Sequence, residues 1–382
     1  MKKIKAGVIG VGFIGVAHIE AIRRLGNAEV AAIADSNDEI LSSVAQRLGI
    51  DNYNTDYRIM LKDPDIDVIH ICIPNNLHYQ ITKEAILAGK HIVGEKPITT
   101  NIKDAEDLVR LAADNDIVNA IDFNIRYYPL IRQLNLMVKN NELGNIFSVH
   151  GSYLQDWLFY ETDYSWRLEK EMAGKSRAVA DIGSHWMDVM EFVSGQKIVE
   201  VFADFATFHK TRKKPLKPVE TYTGKIETQN EFIEIDIDTE DYATVMFRLS
   251  NGGRGVFTVS QVSAGRKNRI FLEIAGSKKS AAWESELPNQ MWIGKREAAN
   301  ELLLKDPSLL YPETRDIIAF PGGHNEGHPD SFKMLFKEIY NDINLPKDKR
   351  MLSYPSFIDG LREIQLCEKI IGSNEKGSWV KV

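Results

Sequence analysis

The first 120 residues alternate short apolar runs with segments whose apolar positions recur every three to four residues. Ile4–Ile9, Val30–Ala34, Val68–Ile73, His91–Val93 and Val118–Ile121 are largely apolar along their length, as strands covered on both faces are. Between them Gly15–Leu25, Asp38–Leu48, His78–Ala88 and Ile102–Ala113 carry helical periodicity, the third stopping at Gly89. Strands separated by crossover helices predict an α/β unit, doubly wound around a parallel sheet.

From about Asp122 the rhythm changes. A helix over Pro129–Asn140 leads to a strand, Ile146–Tyr153, and a further helix is expected over Asp181–Val193. Extended runs then follow one another at Val199–Phe208, Tyr242–Leu249, Gly255–Val262 and Arg269–Ala275, with Ser250-Asn251-Gly252-Gly253 as a hairpin link. Strands without intervening helices pair antiparallel, so this half is predicted to be α+β, a mostly antiparallel sheet with helices on one side. The charged stretch between Phe208 and Glu240, with its basic run Lys210–Lys217, reads as a solvated loop. Ser331–Asp342 and Ser356–Ile371 are expected as late amphipathic helices. The division falls at 1–124 and 125–382.

Composition narrows the function classes. The 382 residues are 43% hydrophobic and 26% charged, an ordinary globular balance. A net charge of −7 argues against a nucleic-acid partner, which usually meets a basic surplus. The two cysteines, Cys72 and Cys367, sit far apart in apolar and amphipathic surroundings and read as reduced, buried thiols. Met1-Lys2-Lys3 and the apolar stretch after it imitate a secretory leader, but four glycines interrupt that stretch and no cleavage site follows. No segment reaches the ~18 apolar residues that span a membrane. A cytoplasmic protein is expected.

Three motifs carry chemistry. Gly10-Val11-Gly12-Phe13-Ile14-Gly15 follows a predicted strand and opens a predicted helix, and Asp35 lies 20 residues beyond Gly15 at the end of the next strand. That context is the dinucleotide-binding βαβ fingerprint, in which the helix N-terminus receives the pyrophosphate and the acid receives the ribose hydroxyls. With no Arg or Lys between Ser36 and Leu41, NAD is favoured over NADP. Glu95-Lys96-Pro97 follows another strand, where side chains point into the ligand crevice. In Asp181-Ile182-Gly183-Ser184-His185, the acid and the histidine are four apart and share a helix face. They could tune a proton acceptor, and Asp181 would also suit the helix N-cap.

Taken in order, these motifs resemble the Gfo/Idh/MocA family, the glucose–fructose oxidoreductase and inositol dehydrogenase type of sugar oxidoreductases. The resemblance implies a Rossmann domain followed by a C-terminal domain on a large open antiparallel sheet that assembles homodimers or homotetramers. It implies that Lys96, Asp181 and His185 are catalytic, and that Pro74, Asn75 and His78 form a loop near the cofactor with Glu95. It also places Arg126 in a crossover segment bordering the active site. The stretch Gly174 to Ala178 departs from the glycine run common ahead of the acid. Gln155, Trp157 and the Trp166-Arg167 pair suit a sugar ring. His324 to His328 reads as a substrate-site loop without the helical spacing of a zinc site, so no metal is expected. The expected activity is hydride transfer between NAD and a secondary alcohol of a sugar or cyclitol. NAD-recycling sugar chemistry and a non-catalytic NAD or sugar binder are the alternatives.

Overall fold

The apolar runs of the N-terminal part assemble into one six-stranded parallel sheet of order β3-β2-β1-β4-β5-β6 in the computed structural model, which describes residues 3–216 and 231–382. Its strands are β1 Ile4–Ile9, β2 Ala28–Ala34, β3 Tyr53–Asn54, β4 Val68–Ile71, β5 His91–Gly94 and β6 Asn119–Ile121. The crossovers are helices α1 Phe13–Arg23, α2 Asp38–Leu48, α3 Tyr57–Lys62, α4 His78–Leu87 and α5 Ile102–Asp114. Their ends follow local chemistry. The Asn37 side chain accepts the Ile40 N–H to start α2, and Gly49 in the left-handed region ends it.

A nine-stranded sheet follows, of order β16-β15-β14-β13-β7-β12-β11-β8-β17. Its members are β7 Ile146–Leu154, β8 Ile198–Ala206, β11 Tyr242–Leu249, β12 Arg254–Ser260, β13 Arg269–Gly276, β14 Ser280–Glu284, β15 Gln290–Gly294, β16 Glu301–Leu304 and β17 Val380–Lys381. Every pairing is antiparallel except β7 with β12. One face is covered by α6 Pro129–Lys139, α8 Ser184–Ser194 and α11 Phe357–Lys376. Trp186 of α8 stacks on Phe257 of β12 with ring centres 4.6 Å apart, at the middle of that core. Short helices α7 Lys170–Ala173 and α9 Pro312–Arg315 lie in the connections. Helix α10, His328–Ile343, returns to the first sheet, where Phe332, Leu335, Phe336 and Ile339 join Ile4, Ala6, Ile19 and Ile22 in one core.

Two local expectations are corrected. The basic run is not a solvated loop: Thr211–Pro215 is strand β9, paired antiparallel with β10, Phe232–Asp236, and Lys217 lies outside the described residues. Arg212 in that run is buried between Asp241 and backbone carbonyls, which satisfy its guanidinium. Asp181 does not cap a helix. It lies within a single π-helical turn, Val179–Gly183, that runs into α8. Such turns widen the backbone and recur at functional sites.

Candidate functional site

The glycine motif folds as a tight turn from β1 into α1. Gly10 has φ +88°, and a Cβ there would lie 2.2 Å from the Cys72 carbonyl oxygen. At Gly15 a Cβ would lie 1.9 Å from the Gly10 carbonyl oxygen, so helix and turn meet at backbone contact. Gly12 differs, because a Cβ there would meet nothing within 4 Å. It caps α1 without a side-chain hydrogen bond, leaving open space before a helix N-terminus, as a pyrophosphate requires. Asp35 follows β2, and its carboxylate accepts the Val11 and Asn37 N–H groups, each at 3.0 Å. The residues present therefore fit a dinucleotide.

Beside this turn lies a cavity of ≈ 170 Å³, whose walls include Phe13, Ile14, Glu95, Lys96, Asp181 and His185. β5 delivers Lys96 from one side, and the π turn and α8 deliver Asp181 and His185 from the other. The Lys96 ammonium donates to Asp181 Oδ1 at 2.8 Å and to its backbone oxygen at 2.6 Å. Arg167 Nε donates to the same Oδ1 at 3.1 Å, and Gln261 Nε2 to Oδ2 at 3.0 Å. Burial favours the neutral acid, but the charges of Lys96 and Arg167 outweigh it and hold Asp181 well below the usual carboxylate range. Burial and the charge of Lys96 push His185 down to about 3, so its ring is neutral at physiological pH. Its Nδ1 is buried with no hydrogen-bond partner among the described residues, while Phe123 packs edge-on at 5.8 Å between ring centres. A neutral imidazole, an ammonium and a fixed carboxylate thus converge at the carboxyl ends of parallel strands, the usual ligand crevice of such a sheet.

Gln155 and Trp157 line the same cavity. Gln155 donates to Asn268 Oδ1 at 2.7 Å, and its own Oε1 has no partner among the described residues. Other expectations fall elsewhere. Arg126 does not reach this cavity: its guanidinium is held by Asp188 at 2.9 and 2.5 Å and by Asp359 at 2.7 Å, in a separate pocket. His324 is exposed and outside the lining, whereas His328, at the start of α10, is in it. His78 is buried, with its ring nitrogens 2.6 Å from the Pro97 oxygen and 2.8 Å from the Ile73 oxygen, so it braces the turns on either side of it. Asn75, just after Pro74, donates to the Ala173 oxygen at 3.0 Å and ties that loop to α7. Gln261, Asn268, Asn124 and Phe332 reach the site with no local motif to announce them. Asp122 follows a parallel strand as Glu95 does, and that position was its readable signal.

Comparison with known proteins identifies the family and the fold. Residues 4–123 match the GFO_IDH_MocA profile, described as an oxidoreductase family with an NAD-binding Rossmann fold, and residues 131–282 match the GFO/IDH/MocA C-terminal domain. Levoglucosan dehydrogenase of Pseudarthrobacter phenanthrenivorans is 29% identical, with 100% of this chain and 99% of that protein covered. Myo-inositol 2-dehydrogenase of Thermotoga maritima is 26% identical over 72% of this chain and 73% of its own. A solved levoglucosan dehydrogenase in complex with NADH and L-sorbose superposes with a TM-score of 0.88 at 28% identity, covering 100% of this chain and 99% of that one.

Proposed function

The chain belongs to the Gfo/Idh/MocA family of NAD-binding oxidoreductases, and from that premise we propose that it oxidises a secondary alcohol on a sugar or cyclitol ring. The observation that carries the reading is the meeting of Lys96, Asp181 and His185 in the cavity beside the glycine turn. Bound NAD supplies the acceptor for the hydride. Lys96 spends two of its three donors on Asp181, leaving one for the substrate oxygen, where it stabilises alkoxide character. His185, whose ring is neutral, accepts the hydroxyl proton. Asp181 holds the ammonium in place, with Arg167 and Gln261 behind it. Gln155 and Trp157 are the substrate contacts, and Pro74, Asn75, His78 and Glu95 shape the cofactor side.

We assign residues 1–124 to cofactor binding and 125–382 to substrate binding and assembly. The outer face of the nine-stranded sheet exposes Met246, Val256, Trp292 and Leu302, which supports a homodimer or homotetramer. Among the described residues no helix is long and apolar enough to cross a membrane, and both cysteines are free, which supports a cytoplasmic location. The test is a panel of levoglucosan, myo-inositol, D-xylose and L-sorbose with NAD, read at the NADH absorbance band. Turnover of at least one ring alcohol is expected. Tightly retained NAD with no net NADH from any alcohol would overturn the reading.

A further inference from the structure

A second set of ionisable groups lies against the same cavity. Glu95 and Asp122 follow the neighbouring strands β5 and β6, with side chains 12% and 1% exposed. Behind them His18 of α1 is fully buried, its Nε2 lying 3.2 Å from Glu95 Oε1 and 3.2 Å from Asp122 Oδ2. His18 Nδ1 is 2.8 Å from His70 Nδ1 and 3.3 Å from Cys72 Sγ, and His70 Nε2 is 2.7 Å from the Tyr340 hydroxyl. From the remaining elements, Lys96 faces the pair from beyond β5, His185 from α8 and His328 from α10, and Lys96 is already engaged by Asp181.

The hydrogen-bond pattern admits one economical protonation state. Two buried carboxylates flank a single imidazolium, and Asp122 Oδ1 has no donor among the described residues. A proton held between Asp122 and Glu95 removes the repulsion between the two acids. His18 then carries both ring protons, one toward the acids and one toward His70 Nδ1, and neutral His70 gives its Nε2 proton to Tyr340. The electrostatic balance runs the same way. Burial opposes charge on His18, but Cys72, Asp122 and Glu95 outweigh it and raise the ring well above its usual value. Burial and the neighbouring Glu95 charge lift Asp122 to about 8, whereas His18 and Lys96 hold Glu95 low.

We propose that Glu95 and Asp122, backed by His18, form a proton-storing pair whose occupancy follows the charge of the nicotinamide. The proposal rests on the dehydrogenase reading above. An oxidised nicotinamide brings a positive charge to this cavity and lowers the pair's affinity for its proton about 10-fold or more, whereas the neutral reduced ring does not. Alcohol oxidation sends the C–H electron pair with its hydrogen to the nicotinamide and the O–H proton to the protein, and the carbonyl product leaves. Because His185 holds a proton only in passing, the pair keeps the proton that the reaction releases. The hydride step then runs without exchanging a proton with solvent, and the stored proton leaves when the next NAD binds.

The test needs no turnover. The intact protein is titrated with NAD or NADH by calorimetry at pH 8, in phosphate and in Tris, whose ionisation heats differ. NAD binding should release about half a proton more than NADH binding, and the ratio of the two affinities should shift about tenfold between pH 7 and 9. Both differences should vanish in Asp122→Asn, with Glu95→Gln as the second variant should the first not fold. Equal proton release for the two nucleotides, or a difference that survives both substitutions, overturns the proposal. So does micromolar binding of zinc alone by the apoprotein, because a metal would claim the same three side chains. Failure to bind either nucleotide would instead overturn the dehydrogenase reading.

Discussion

A methyl group placed on Gly15 would sit 1.9 Å from the Gly10 carbonyl oxygen and 2.9 Å from its carbon. Both neighbours are backbone, so no rotamer change relieves the clash. Reaching an ordinary non-bonded separation of ~3.5 Å requires the β1 turn and α1 to part by roughly 1.5 Å. Overpacking of this kind costs about 1–3 kcal/mol of stability. A displacement of this size costs about 100-fold at a positioned site, or about 2.8 kcal/mol of NAD affinity. Gly12→Ala is the control, because its methyl meets nothing in the protein itself. That variant should keep the parent melting temperature yet still lose NAD, since it fills the space before the helix N-terminus. Calorimetric titration with NAD, alongside thermal unfolding by circular dichroism, separates the two signatures. A Gly15→Ala protein that melts and binds NAD like the parent would refute the argument from backbone contact.

Three further outcomes follow from the geometry. Lys96→Met and His185→Ala should each lower turnover by about 100-fold or more while NAD still binds, and near-parental turnover in both would sink their assignment. Arg126→Met should destabilise the fold by about 3–5 kcal/mol, because it strands Asp188 in a buried pocket, yet leave KM for the alcohol unchanged; a raised KM at parental stability would restore Arg126 to the substrate site. Burial, then the Arg350 charge, pushes His91 down to about 4, so the unfolded chain binds a proton there that the fold refuses. Its contribution is whole above about pH 6.5 and is lost as pH falls toward 4, up to about 3 kcal/mol. Relative to a His91→Gln variant, the parent should lose that much over this window in urea titrations, and parallel stability curves would contradict it.

The cofactor side was readable because its information is local. Gly10, Gly12, Gly15 and Asp35 occupy one βαβ unit, and the turn needs no distant partner to form. Lys96 was readable from its place after a parallel strand. The substrate side was less so. Nothing near Arg126 in sequence reveals that Asp188 and Asp359 converge on it from two other helices. Gln261 and Asn268 lie on a strand end and a loop, and only the sheet brings them to Asp181 and Gln155. The parallel pairing of β7 with β12 was hidden for a related reason. Adjacent runs suggest hairpins, whereas these two strands are about a hundred residues apart, with β8 and β11 between them in the chain. In β9 the run of basic residues gave no sign that Asp241, some thirty residues on, would draw Arg212 inside.

Helix α10 gives the order of synthesis a physical meaning. Its Phe332, Phe336 and Tyr340 complete the core around His18 and His70, elements made roughly 260 to 320 residues earlier on the ribosome. Until α10 emerges, the growing chain exposes a bare apolar groove on its first sheet, an invitation to chaperones and to aggregation. The same helix carries His328 and Phe332 to the cavity wall. The nascent chain therefore carries Lys96, Asp181 and His185 well before the wall that encloses them.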